Sequence, residues 1–113
     1  MHELSIAMSI VEIAQEEAAR RNAEVRAVHL RLGPLSGVVK EALLSSYEMV
    51  CFDTPLVGSK LIIQDVSAVV FCSKCKRRQS LDSVQLFVCP ECGTPTPEVV
   101  QGRELEVVAL EIQ

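Results

Sequence analysis

Cys72-Ser73-Lys74-Cys75 and Cys89-Pro90-Glu91-Cys92 decide how the rest of this 113-residue chain is read. Thirteen residues, 76–88, separate the two C-x-x-C pairs. Each pair turns two sulfurs toward one point, and the intervening segment is long enough for a short hairpin that brings the second pair back to complete a tetrahedron. Gly93 after the second pair suits a tight turn, where a residue without Cβ tolerates positive φ. Thioredoxin-type redox pairs use the same spacing but open helices after strands, whereas these flanks are strand and turn. An iron–sulfur cluster would use the same ligands, since sulfur alone does not choose the metal. Zinc held by Cys72, Cys75, Cys89 and Cys92 is the expectation, with all four positions filled and none left open for catalysis.

Outward from this module, the periodicities are those of an α+β chain. Leu4, Ala7, Met8, Val11, Ala14 and Ala18 recur at steps of three and four, widened by Ile10 and Ile13, so a helix is expected over 4–21 with Asn22 as its stop. Glu16–Arg20 and Glu17–Arg21 are its candidate ion pairs. Residues 25–32 alternate, Val28, Leu30 and Leu32 facing one way and Ala27, His29 and Arg31 the other, up to Gly33-Pro34. Ser36 stands as an N-cap before a second helix over about 38–52, with Leu43, Leu44, Tyr47 and Val50 inward. A long strand over 60–71 feeds the first cysteine pair. Residues 104–112 form a last strand that cannot stand alone and rejoins the earlier sheet. The expected architecture is two helices packed on a small mixed or antiparallel sheet, with an inserted zinc ribbon. Its domains are residues 1–69 plus 102–113, and the insert 70–101.

Composition narrows the function classes. Apolar residues make up 49% of the chain, enough for a core. Eleven basic against fifteen acidic residues give a net charge of −4, poor for a nucleic-acid binder. Lys74, Lys76, Arg77 and Arg78 form a local basic cluster offset by Asp82 and Glu91, read here as a solvated turn. No apolar run is long enough to span a bilayer, and Met1-His2-Glu3 lacks the basic start of a signal peptide. Five cysteines, an odd count, fit a reducing cytoplasmic setting better than a secreted disulfide scaffold. No phosphate loop and no nucleophile–base pair stands out, so the chain is not expected to be an enzyme.

The amino terminus carries a second constellation. Methionine before a bulky residue is retained, so the Met1 amine, the His2 amide and the His2 imidazole can close fused chelate rings on one ion. The Glu3 backbone nitrogen or carboxylate offers a further donor. Nitrogen-rich planar or tetragonal coordination suits Ni(II) or Cu(II). Taken alone, a histidine at position 2 is also simply an exposed residue on a frayed end.

The opening Met1-His2-Glu3-Leu4-Ser5, the strand end Arg31-Leu32-Gly33 and the knuckles ending Cys89-Pro90-Glu91-Cys92-Gly93 together resemble the HypA/HybF family of hydrogenase nickel-incorporation proteins. The resemblance spans essentially the whole chain, including the order helix, strand, helix, strand, zinc insert, strand. It implies a metallochaperone that delivers nickel for the [NiFe]-hydrogenase site. It also implies work with a HypB-type maturation GTPase and the hydrogenase large-subunit precursor. The roles it implies are His2 as nickel ligand, with Met1 and Glu3 contributing amine and backbone nitrogens, and the four cysteines as zinc ligands. One departure is Lys76, where such a knuckle often has glycine. A discontinuous sheet also makes strand exchange, and so a homodimer, conceivable. The rival expectation is a zinc-ribbon interaction module of transcription or translation that binds no nickel.

His29 is expected as an exposed strand residue and Cys51 as a small buried hydrophobe. Met8 and Met49 are expected at core-compatible helical positions.

Overall fold

The computed structural model describes residues 2–81, 86–96 and 98–113. Asp82, placed by sequence in the basic turn, and Met1 lie outside them. Two helices and six strands follow in the order α1 (Glu3–Arg21), β1 (Val25–Leu32), α2 (Lys40–Cys51), β2 (Lys60–Asp65), β3 (Val69–Cys72), β4 (Arg77–Ser80), β5 (Val99–Gln101), β6 (Leu105–Ile112). The strands form two three-stranded sheets, β2-β1-β6 and β4-β3-β5. The chain divides into two compact units. One comprises Met1–Leu30, Gly37–Gln64 and Glu106–Gln113, the other Arg31–Ser36 and Asp65–Leu105.

In the first unit α1 buries Ile6, Ala7, Ile10, Val11, Ala14 and Ala18, a stripe at helical spacing. Small alanines let α2 approach; α2 buries Leu43, Tyr47 and Cys51, and β1 buries Val25 and Ala27 on one face and Val28 and Leu30 on the other. The stripe is rotated from its expected position. Leu4, Met8 and Ile13 are exposed, because Ile6 and Ile10 fill the inward row instead; on α2, Met49 is exposed as well. Asn22 ends α1 in the left-handed region, its amide donating to the Ala18 and Ala19 carbonyls. Glu17 alone takes both Arg20 and Arg21, at 2.7 Å each, so the expected Glu16–Arg20 pair gives way to an i,i+3 contact.

The start of α2 differs from expectation for a physical reason. Val39, not Ser36, occupies the N-cap and has no side-chain acceptor of its own. The Glu3 carboxylate supplies one, accepting the Val39 N–H at 3.1 Å. The Val39 amide, and then Glu3's own amide, hold the Glu3 carboxyl below the usual carboxylate range.

β6 rejoins the first sheet beside β1, as its sequence requires. Glu24 and Gln113 exchange both backbone hydrogen bonds, the mark of an antiparallel pair. The Val66 amide donates to the Leu32 carbonyl, bringing together the C-terminal ends of β2 and β1. Those strands therefore run parallel with α2 as their crossover, and the sheet is mixed.

The strand expected over 60–71 breaks into two. β2 stays with β1, whereas β3 belongs to the other sheet; Val66 and Ala68, in the connecting residues, are buried. In the second unit β3 is central. It pairs antiparallel with β4 in the register Val70↔Gln79 and Cys72↔Arg77, and with β5 through an irregularity beside Val69 and Val70. Among the described residues no helix is long and apolar enough to cross a membrane.

Candidate metal centre

The β3–β4 turn and the loop around Val88↔Pro95 each present one C-x-x-C knuckle. The two turns are built alike. The Lys76 amide donates to the Cys72 carbonyl at 2.7 Å, and the Gly93 amide donates to the Cys89 carbonyl at 2.8 Å. Both closing residues are left-handed, Gly93 at φ 73° and Lys76 at φ 57°. The missing glycine thus leaves the turn geometry intact, with Lys76 taking a conformation that costs an L-residue about 1–2 kcal/mol.

The four cysteine sulfurs all lie within 4.8 Å of one another. Cys72 and Cys92 Sγ are 3.6 Å apart, and Cys75 and Cys89 Sγ 3.9 Å. A tetrahedron with zinc–sulfur bonds of about 2.3 Å has edges of about 3.8 Å. The cluster therefore fits a zinc site by distance as well as by ligand type. Cys72 and Cys89 are buried, Cys75 is half-buried and Cys92 is exposed, so the site lies at a surface with two ligands anchored beneath it.

The electrostatics agree. Cys75 is pushed up to about 12 by its hydrogen bond with Cys92, by burial and by the sulfurs of Cys72 and Cys89. Cys92 is drawn down to about 6, chiefly by the Thr94 hydroxyl 3.1 Å away and the Thr94 amide. Four sulfurs this close cannot all be thiolates unless a cation sits among them. A divalent ion would supply that charge, with Cys72, Cys75, Cys89 and Cys92 as the residues that would hold it.

Two supports were not visible in the spacing. Thr94 steadies Cys92 from two residues on. Glu91, inside the second knuckle, is ion-paired to Arg77 of β4 and accepts from Gln79 Nε2 at 3.2 Å, clasping the two halves of the ribbon. Only the β register, which puts Arg77 and Gln79 on one side of the strand, reveals this clasp.

At the other candidate site, His2 is the extended residue before α1, at φ −83° and ψ 138°, with an exposed side chain that caps nothing. Its carbonyl accepts the Ile6 amide at 3.1 Å, the first bond of the helix. Met1, the amine donor expected from sequence, lies outside the described residues. The Glu3 carboxylate is occupied with Val39.

His29 proves half-buried, its Nε2 lying 2.8 Å from Glu111 Oε2. Cys51 is buried as expected, with Ser59 Oγ 3.9 Å from its sulfur.

Comparison with known proteins places the chain. Residues 1–112 match the family model described as hydrogenase/urease nickel incorporation, metallochaperone. The chain belongs to the HypA family. It is 50% identical over 112 residues to the hydrogenase maturation factor HypA of Chloroflexus aurantiacus, covering 98% of each chain. It is 47% identical over 114 residues to that of Roseiflexus sp. strain RS-1, covering 100% of this chain and 93% of the relative. Its fold is similar to the solution structure of the Ni metallochaperone HypA from Helicobacter pylori, with a TM-score of 0.67 and 24% identity over 99% and 97% of the two chains. A second solution structure of a HypA protein gives 0.73, with 23% identity over 100% and 97%. HypA proteins are nickel-binding metallochaperones of hydrogenase maturation, and membership implies contact with the maturation machinery.

Proposed function

We propose that this protein binds Ni(II) at its amino terminus and delivers it to maturing [NiFe]-hydrogenase in the cytoplasm. His2 supplies the imidazole, and the Met1 amine and the backbone nitrogens of His2 and Glu3 complete the donor set. Several observations favour this set. The His2 side chain is exposed and makes no capping hydrogen bond to α1. The first amides of a helix have no carbonyl partner within it. The Glu3 carboxylate is committed to α2, so Glu3 contributes through its backbone. A site built from one side chain and main-chain nitrogens selects by geometry, and because it stands at a chain end a partner's ligands can reach the ion.

In the same proposal Cys72, Cys75, Cys89 and Cys92 hold a structural zinc in an insert of residues 70–101, and residues 1–69 plus 102–113 form the nickel domain. The sulfur spacing is the observation that carries this assignment. The partners are a HypB-type GTPase, which would supply nucleotide hydrolysis, and the hydrogenase large-subunit precursor. A homodimer is compatible with the two open edges of the β2-β1-β6 sheet.

The test is nickel titration of the untagged, zinc-loaded chain with metal analysis. His2→Ala loses nickel while retaining zinc and its far-UV spectrum. Unchanged nickel affinity in that variant overturns the N-terminal assignment. A wild-type chain that takes up zinc alone favours the interaction-module reading.

A further inference from the structure

The ribbon sheet has two unlike faces. Along β3, Val70 and Cys72 are fully buried, whereas Val69 and Phe71 are half-buried. Register places Gln79 and Arg77 of β4 beside the buried pair, and Ser80 and Arg78 beside Val69 and Phe71. On the side of Val70 and Cys72 the exposed Arg77 pairs with Glu91. Arg78 stands directly across from Phe71 and, like the exposed Lys74 and Lys76 of the adjoining knuckle, makes no ion pair among the described residues. Lys76 is held outside the strand by its left-handed turn. A chain of net charge −4 thus gathers, within residues 74–78, three exposed cations that make no ion pair among the described residues, Arg78 lying across the strand pair from the half-buried Phe71.

From this sorting we propose that the outward face of the β4-β3-β5 sheet, with Lys74, Lys76, Arg78 and Phe71, docks an acidic protein segment carrying an aromatic or aliphatic side chain. The cations face the carboxylates and Phe71 receives the apolar group. Protein is favoured over nucleic acid by the ligand set. Three exposed cations and one aromatic ring give few phosphate contacts and no stacking series. The surface is independent of the nickel proposal, because none of its residues belongs to the amino-terminal constellation.

The experiment uses the full zinc-loaded chain and a fluorescein-labelled peptide of ten glutamates around one central phenylalanine, read by anisotropy. Oligo-dT of equal charge is the second probe. The peptide binds in a salt-dependent manner, and its amide shift changes centre on Phe71 and Arg78. Lys74→Glu/Lys76→Glu/Arg78→Glu weakens binding about tenfold or more, with zinc content unchanged. The charge-matched control Arg20→Glu/Arg26→Glu/Lys60→Glu weakens it far less. Equal loss in the two triple variants means net charge alone is at work and overturns the proposal. Tighter binding of oligo-dT, shifts centred elsewhere, or no peptide binding also overturns it.

Discussion

Substituting Gly33 with alanine tests how the second unit is held together. Gly33 does not need positive φ; it needs the absence of a side chain. A Cβ there would overlap the carbonyl of Gly102 outright and lie 2.9 Å from Arg103 N. All of these are backbone atoms that cannot swing aside. Two hydrogen bonds fix the approach, Gly33 N–H to Glu104 O at 2.8 Å and Leu35 N–H to Gly102 O at 2.7 Å. Relieving the overlap separates the two segments by an ångström or more, roughly the margin within which such bonds survive. Losing both costs about 2 kcal/mol, and residual overpacking adds about 1–3 kcal/mol. The expected loss is therefore about 3–5 kcal/mol out of a typical 5–15 kcal/mol. In urea unfolding of the zinc-loaded protein, with a slope of about 1–3 kcal/mol/M, the midpoint falls by about 2 M. Gly37→Ala is the control. Gly37 sits at φ 80° with nothing within 4 Å of the added Cβ. It should lose only about 1–2 kcal/mol, the left-handed penalty by itself. A Gly33→Ala loss no greater than that of Gly37→Ala would refute close packing as the reason for this glycine.

Other outcomes follow from the same geometry. Lys76→Gly relieves the left-handed turn at φ 57° and, after the added freedom of the unfolded glycine is subtracted, raises stability by about 0.5–1 kcal/mol; lower thermal stability of the zinc-loaded variant would contradict this. Burial pushes the Tyr47 phenol up to about 12, against a lowering hydrogen bond from Ser59 at 2.7 Å. Its contribution is thus complete below pH 10, where the unfolded phenol is still neutral, and is lost as pH rises toward 12. With one tyrosine and no tryptophan in the chain, phenolate absorbance reports this group alone, and reversible ionisation near pH 10 with circular dichroism intact would count against it. Chelating zinc should abolish amide-exchange protection in β3 and β4 while the middle of α1 stays protected, because four crowded sulfurs lose the charge that reconciles them; undiminished protection in the ribbon would mean that metal does not hold it.

Local pattern carried much of the architecture. Apolar spacing marked both helices, alternation marked β1, and Gly33-Pro34 marked its end. The cysteine spacing identified a zinc-compatible cluster without any coordinates, because ligand convergence in a knuckle is a property of a few adjacent residues. The periodicity of 60–71 was sound for strand but silent on partnership, so a single run of β-branched residues concealed two strands in two sheets. The inward row of α1 was misjudged at Met8 and Ile13 because several apolar stripes fit a helix this rich in alanine and isoleucine, and only the opposing surface selects one.

What sequence determined alone was chemistry held within short windows, namely four cysteines at metal spacing and alternating or helical runs. Tertiary structure decided everything that joins distant residues. It gave the start of α2 its cap from Glu3, thirty-six positions away, and it gave Arg77 its partner in Glu91. It also made Gly33 a contact surface for Gly102. The reason is physical. Spacing fixes which side chains share a face, but hydrogen bonds, ion pairs and steric exclusion act over a few ångströms, and only the folded chain sets which of those faces meet.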